Sequence, residues 1–140
     1  MANKVIAISG YFDPLHVGHL DYIKMAKDII GKKGKLVVIL NNDNQAYLKK
    51  KKVFMSQEDR RKILEAIKWV DEVYISIDED ETVCKSLMAI QPTIFANGGD
   101  RVQAVEEEDK LCQQYGIQQM FNLGKKIRAS SEILKEWEKK

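Results

Sequence analysis

Five short apolar runs recur along the chain: KVIAIS (4–9), KLVVIL (35–40), VYISI (73–77), TIFAN (93–97) and IQQMF (117–121). The first two are nearly continuous and rich in β-branched residues, the pattern of strands buried on both faces. The segments between them carry helical spacing instead. Strand and helix therefore alternate, and right-handed crossovers turn that alternation into a parallel sheet with helices on both sides.

The helical segments have their own punctuation. Gly31 and Gly34 end a first helix that opens near Gly18. In 63–70, the residues Ile63, Leu64, Ile67 and Val70 form one helical stripe, with Ser56 as N-cap and Asp59 as a weak capping-box partner. Val83, Leu87 and Ile90 make a second stripe, stopped by Pro92. Ile133, Leu134 and Trp137 make a last short one. The fold class expected is α/β, a Rossmann-like three-layer domain with a five-stranded parallel sheet and helices on both faces. Residues 1–140 read as a single domain, with no internal repeat or linker. Ligands of such sheets bind beyond the carboxyl ends of the strands. Function is thus expected at 9–19, 41–44, 97–101 and the loop before the last helix.

Bulk composition excludes several classes. The chain is 44% hydrophobic and 31% charged, with a net charge of +2. No global field argues for nucleic acid or membrane as partner. Cys84 and Cys112 lack CxxC spacing, so neither a disulfide framework nor a zinc site is indicated. No apolar span approaches 18 residues and the start lacks a signal-peptide pattern, so a soluble cytoplasmic protein is expected.

The first strand runs into SGYFDPLHVGHL (9–20), which holds both histidines of the chain. Gly10 lets backbone approach a ligand, and Pro14 fixes a turn. His16, Gly18 and His19 open a helix whose N-terminus favours an anion. The missing Cβ of Gly18 leaves room for a phosphate between the two rings, and an imidazole can donate to a phosphoryl oxygen. Three readings stand on residues alone: phosphate handling, capping or packing, and a metal site. HxxH without a further ligand is weak support for the last.

The stretch GYFDPLHVGH resembles the signature of the HxGH nucleotidyltransferase superfamily, and more narrowly of the cytidylyltransferase-like family. That family includes glycerol-3-phosphate cytidylyltransferase and the heptose-phosphate adenylyltransferase domain. DRRKILEAIKWVDEV (59–73), FANGGD (95–100) and RASSEI (128–133) are similar to its later motifs, in the same order. The resemblance implies that a phosphorylated small molecule attacks the α-phosphate of a nucleoside triphosphate in line and releases pyrophosphate. His16 and His19 then contact the triphosphate. Gly10, Tyr11 and Phe12 offer backbone N–H groups, although Tyr11 replaces the commoner threonine.

Within the lysine-rich stretch 44–54, otherwise read as a solvated loop, Lys49 matches a catalytic lysine and Lys52 an acceptor-phosphate ligand. Register inside the four-lysine run is not fixed. Nucleic-acid binding by this run is a competing reading. Arg60 is either a second phosphate clamp or a surface arginine. Asp13 braces the turn. Asp100 reads the base or ribose, while Arg128, Ser130 and Ser131 hold the outer phosphates. Mg²⁺ is implied, held mainly by the triphosphate and water, with no resident metal site. The acidic runs DEDE (78–81) and EEED (106–109) read as solvated. NGGD resembles the adenylyltransferase form, while length and layout lean slightly to CTP. A homodimer is expected by analogy, and a catalytically silent nucleotide-binding module is the alternative to an enzyme.

Overall fold

The computed structural model describes residues 4–98 and 105–123. Its elements are β1 (Val5–Gly10), α1 (Val17–Ile30), β2 (Lys35–Leu40), α2 (Asp43–Lys50), α3 (Gln57–Glu65), β3 (Glu72–Ile75), α4 (Cys84–Ile90), β4 (Ile94–Gly98), α5 (Glu106–Tyr115) and β5 (Gln118–Leu123). The five strands form one sheet in the order β3-β2-β1-β4-β5, and every pairing is parallel. This is the expected Rossmann-like α/β architecture.

The alternation of side chains along β1 explains the layering. Ile6 and Ile8 point to one face and pack with Tyr22, Ile23 and Ala26 of α1 and Leu64 of α3. Ala7 points to the other, where Phe95, Val83, Leu87 of α4 and Cys112 of α5 gather. A strand buried on both faces must be apolar at every position, which is why KVIAIS shows no polar alternation. No described helix is long and apolar enough to cross a membrane.

Three local readings change. The stretch after β2 is a helix, α2, with a reciprocal cap between Asn42 and Gln45. The lysine run therefore begins as its last turn rather than as a loop. The apolar stripe of 63–70 outlasts its helix. Beyond Glu65 the chain continues through i→i+3 bonds, Ala66 to Ile63, Ile67 to Leu64 and Val70 to Ile67. These tighter turns keep Ile67 and Val70 on the core without an α-helix.

The acidic runs are not wholly solvated. Asp78 is 4% exposed. Its carboxylate accepts from the N–H groups of Lys85 and Ser86 and from the hydroxyls of Ser76 and Ser86. It therefore caps α4 from outside the helix, because the N-cap residue Val83 has no side-chain acceptor. Glu108 is likewise buried and accepts from the Val83 N–H. Replacing Asp78 with alanine strands those donors. We expect Asp78→Ala to lower the unfolding free energy by about 2 kcal/mol, read by urea denaturation at unchanged m. A loss under about 0.5 kcal/mol, the level of an ordinary surface substitution, would rule the cap out.

Candidate active site

The chain leaves β1, builds β2 and β3 on one side, and then crosses to β4 on the other. The crevice beyond the ends of β1 and β4 is thus the switch point of the sheet, where ligands of this architecture bind. Gly10 ends β1 and Gly98 ends β4.

The loop after Gly10 turns at once. Phe12 has a positive φ of 50° and is 2% exposed. Its ring occupies the space a Cβ on Gly10 would need, 2.9 Å away. Gly10 therefore makes room for a neighbouring ring. The Asp13–Pro14 peptide is cis.

The two histidines cap the helix they open. His16 is the N-cap of α1, and its Nδ1 accepts from the Gly18 N–H at 3.1 Å. His19 Nδ1 accepts in return from the His16 N–H at 3.1 Å. This is the reciprocal logic of a capping box, with two imidazoles in place of a hydroxyl and a carboxylate. The rings stack at 3.8 Å and 28°, and Phe12 meets His19 edge-on at 4.9 Å. Rings so placed leave no gap between them for a phosphate, so any room that Gly18 provides lies elsewhere than between the imidazoles. A Cβ there would lie 2.9 Å from the His16 ring, so glycine makes room for the cap.

The cap also fixes the tautomer. With Nδ1 accepting, the proton of each neutral ring sits on Nε2. Burial first, then His16 and the Lys50 ammonium, push His19 down to about 4 from 6.5. Its ring is therefore a neutral N–H donor at physiological pH.

The lysines approach from α2. The Lys49 ammonium lies 4.9 Å from the centre of the Tyr11 ring and that of Lys50 5.9 Å. Lys50 also donates to the Asp13 carbonyl at 3.2 Å. Tyr11, whose side-chain role the sequence left open, is thus a platform for two cations. Lys50 escaped the sequence reading because register is invisible inside a lysine run. Lys52 is exposed and lies beyond the left-handed Lys51.

Asp13, expected to brace its own turn, instead ties that turn to the segment before α3, its oxygens accepting from the Phe54 and Met55 N–H groups at 2.9 and 2.7 Å. Arg60 differs from both of its readings. Its side chain is 0% exposed, and its guanidinium donates to the carbonyls of Met55, Tyr11 and Asn41 and to the Asp43 carboxylate. It is neither a surface residue nor turned to a substrate phosphate. Asp100, Arg128, Ser130 and Ser131 lie outside the described residues. Among the described residues no group of three His, Cys, Asp or Glu side chains is placed to hold a metal ion.

His19 should titrate in the folded protein with a midpoint near 4, followed by imidazole NMR. The unfolded chain then binds the proton more readily. Stability from this group is whole above pH 6.5 and falls as pH drops from there through 4. A folded-state midpoint at or above 6 would overturn the buried, neutral donor.

Comparison with known proteins places this geometry in a family. The cytidylyltransferase-like family matches residues 7–136. An FAD synthase of Methanothermus fervidus is 37% identical over 93 residues, 66% of this chain and 63% of that protein. An FAD synthase of Thermococcus kodakarensis is 34% identical over 80% of this chain and 73% of its own length. The bifunctional protein HldE of Helicobacter pylori is 33% identical over 69% of this chain, a stretch that spans only 20% of that longer protein. In fold, the chain is similar to a lipopolysaccharide core biosynthesis protein of Thermoplasma volcanium, with a TM-score of 0.74 at 24% identity over 86% of this chain and 97% of that one. Extent of match and arrangement of the HxGH segment agree: the chain belongs to the cytidylyltransferase-like family of nucleotidyltransferases.

Proposed function

We propose that the protein transfers the adenylyl group of ATP to the phosphate of a small phosphorylated molecule, with FMN as acceptor. The observation that carries the proposal is the reciprocal imidazole cap. It puts two Nε2–H donors at a helix N-terminus beside a lysine pair, at the switch point of the sheet. Such a site suits a polyanion that gains charge as it reacts. Similarity to proteins named FAD synthase supports ATP over CTP and FMN as acceptor, because FAD is FMN joined to AMP through a pyrophosphate.

The reaction balances without a covalent enzyme intermediate. An oxygen of the acceptor phosphate bonds to the α-phosphorus of ATP. The bond from that phosphorus to the oxygen bridging toward the β-phosphate breaks, and pyrophosphate leaves with the electron pair. The enzyme's share is alignment and charge stabilisation. His19 and His16 donate to the phosphates through Nε2–H. Lys49 and Lys50 lower the repulsion between two polyanions. A divalent cation bound to the triphosphate would supply further charge neutralisation between the two polyanions. Asp13, the carboxylate of this loop, has both oxygens engaged by backbone N–H groups.

The resemblance of NGGD to the heptose-phosphate adenylyltransferase form supports a second acceptor class, the sugar phosphates. Pyrophosphate release decides between them, with ATP and CTP each offered FMN, a sugar 1-phosphate and glycerol 3-phosphate. We expect ATP with FMN to give the highest kcat/KM, and His19→Ala to reduce it about 10²- to 10³-fold with the fold intact. Turnover only with a sugar phosphate would move the proposal to the second acceptor. Nucleotide binding without pyrophosphate release from any pair would make the protein a binding module.

A further inference from the structure

A guanidinium removed from water is costly unless every partner is in place. The partners of Arg60 come from separate parts of the chain. Asp43 is the first residue of α2, and its carboxylate takes Nη2 at 2.8 Å. Met55 follows the lysine run, and its carbonyl takes Nε at 3.0 Å. Both ends of segment 43–55, which carries every lysine of the run, thus meet on one side chain. Nη1 holds the carbonyls of Tyr11 and Asn41, each at 2.8 Å, where β1 and β2 end. The same Met55 that accepts from Arg60 donates its own N–H to Asp13 at 2.7 Å. Asp13 lies between the lysine platform Tyr11 and the cap His16.

We infer that Arg60 and Asp13 are positioning residues for nucleotidyl transfer. Together they close the lysine-bearing segment 43–55 into a loop and clasp it to the imidazole-bearing loop 11–19. This rests on the function proposed above. Arg60 touches neither substrate. It acts through the Tyr11 carbonyl, whose ring gathers Lys49 and Lys50, and through Asp13, whose carbonyl holds Lys50. Two groups that must converge on one reacting phosphate are sensitive to small errors. A misplacement of about 1 Å can cost about 10²-fold in rate.

The test compares Arg60→Lys, which keeps the charge but cannot span these acceptors, and the isosteric Asp13→Asn with a control, Arg61→Met. Arg61 sits on the surface of α3 and pairs with Glu58 and Glu65. Two readouts are taken on the full-length protein: steady-state kinetics with ATP and FMN, and the NMR titration of the His19 ring. In both clasp variants kcat should fall at least 30-fold while each KM changes less than threefold. The His19 midpoint should rise from about 4 toward 6.5, because it is held down by burial, His16 and Lys50. Removing the Asp13 charge by itself would lower that midpoint, so a rise in Asp13→Asn reports loosened geometry. Arg61→Met should move neither readout.

A raised KM with kcat retained and an unmoved His19 midpoint would overturn the inference and return Arg60 to the substrate. An unmoved midpoint in both variants overturns it whatever the kinetics. Should Arg60→Lys not fold, Asp13→Asn decides alone. Should the wild type show no turnover, the proposed function falls, and the titration still decides the clasp.

Discussion

One positive charge with no access to water organises the carboxyl end of this sheet. The desolvation of Arg60 is compensated only if the Tyr11, Asn41 and Met55 carbonyls and the Asp43 carboxylate converge on it. Those acceptors are contributed by the exits of β1 and β2, the start of α2 and the approach to α3. Apolar burial anchors two of these segments, through Phe12 after β1 and Ala46 in α2. The single planar group of Arg60 joins all of them to one another by hydrogen bonds.

The second organising idea is that a helix N-terminus can be capped by the groups that serve it. In an ordinary capping box the side chains are used up in satisfying backbone donors. An imidazole has two nitrogens, so His16 and His19 satisfy the backbone through Nδ1 and still present Nε2–H. Capping and phosphate handling by HxGH are therefore not alternatives: they use opposite sides of the same rings. Burial of the His19 ring, with repulsion from His16 and from the Lys50 ammonium, keeps it neutral, so it offers a hydrogen bond without the strong charge that would retain a polyanionic product.

Much of this was legible in the sequence. The strands stand out because burial on both faces leaves residues 5–8 of β1 and 36–40 of β2 wholly apolar, and their alternation with helices leaves few topologies. A structural rather than catalytic carboxylate at Asp13 was readable, but its partners Phe54 and Met55, 41 and 42 residues away, were not. Helix α2 was missed because its sequence, DNQAYLKK, buries only Gln45 and Ala46 and shows no apolar stripe. The cue was nevertheless present, an Asn three residues before a Gln. The end of α3 was misjudged because a tightened turn keeps apolar spacing almost as well as an α-helix does. Asp78 and Arg60 were misread for one reason: a charged residue in a polar stretch looks solvated until the tertiary fold brings it a set of partners. The serines and Asp100 fall outside the described residues, so their roles stand on resemblance to the family.

The two glycines of the signature share an arrangement with an evolutionary consequence. At Gly10 the space of a side chain is filled by the ring of Phe12, and at Gly18 by the ring of His16, each two residues away. Phe12 in turn abuts His19. These four positions form two steric pairs, joined through His19, which Phe12 meets edge-on and His16 stacks against. A larger residue at either glycine is admissible only if its partner ring shrinks at the same step. Enlargement of either glycine in a single step is thereby disfavoured, and moving the motif to another scaffold would mean carrying with it the partners of Tyr11 and Asp13, namely Arg60, Phe54 and Met55.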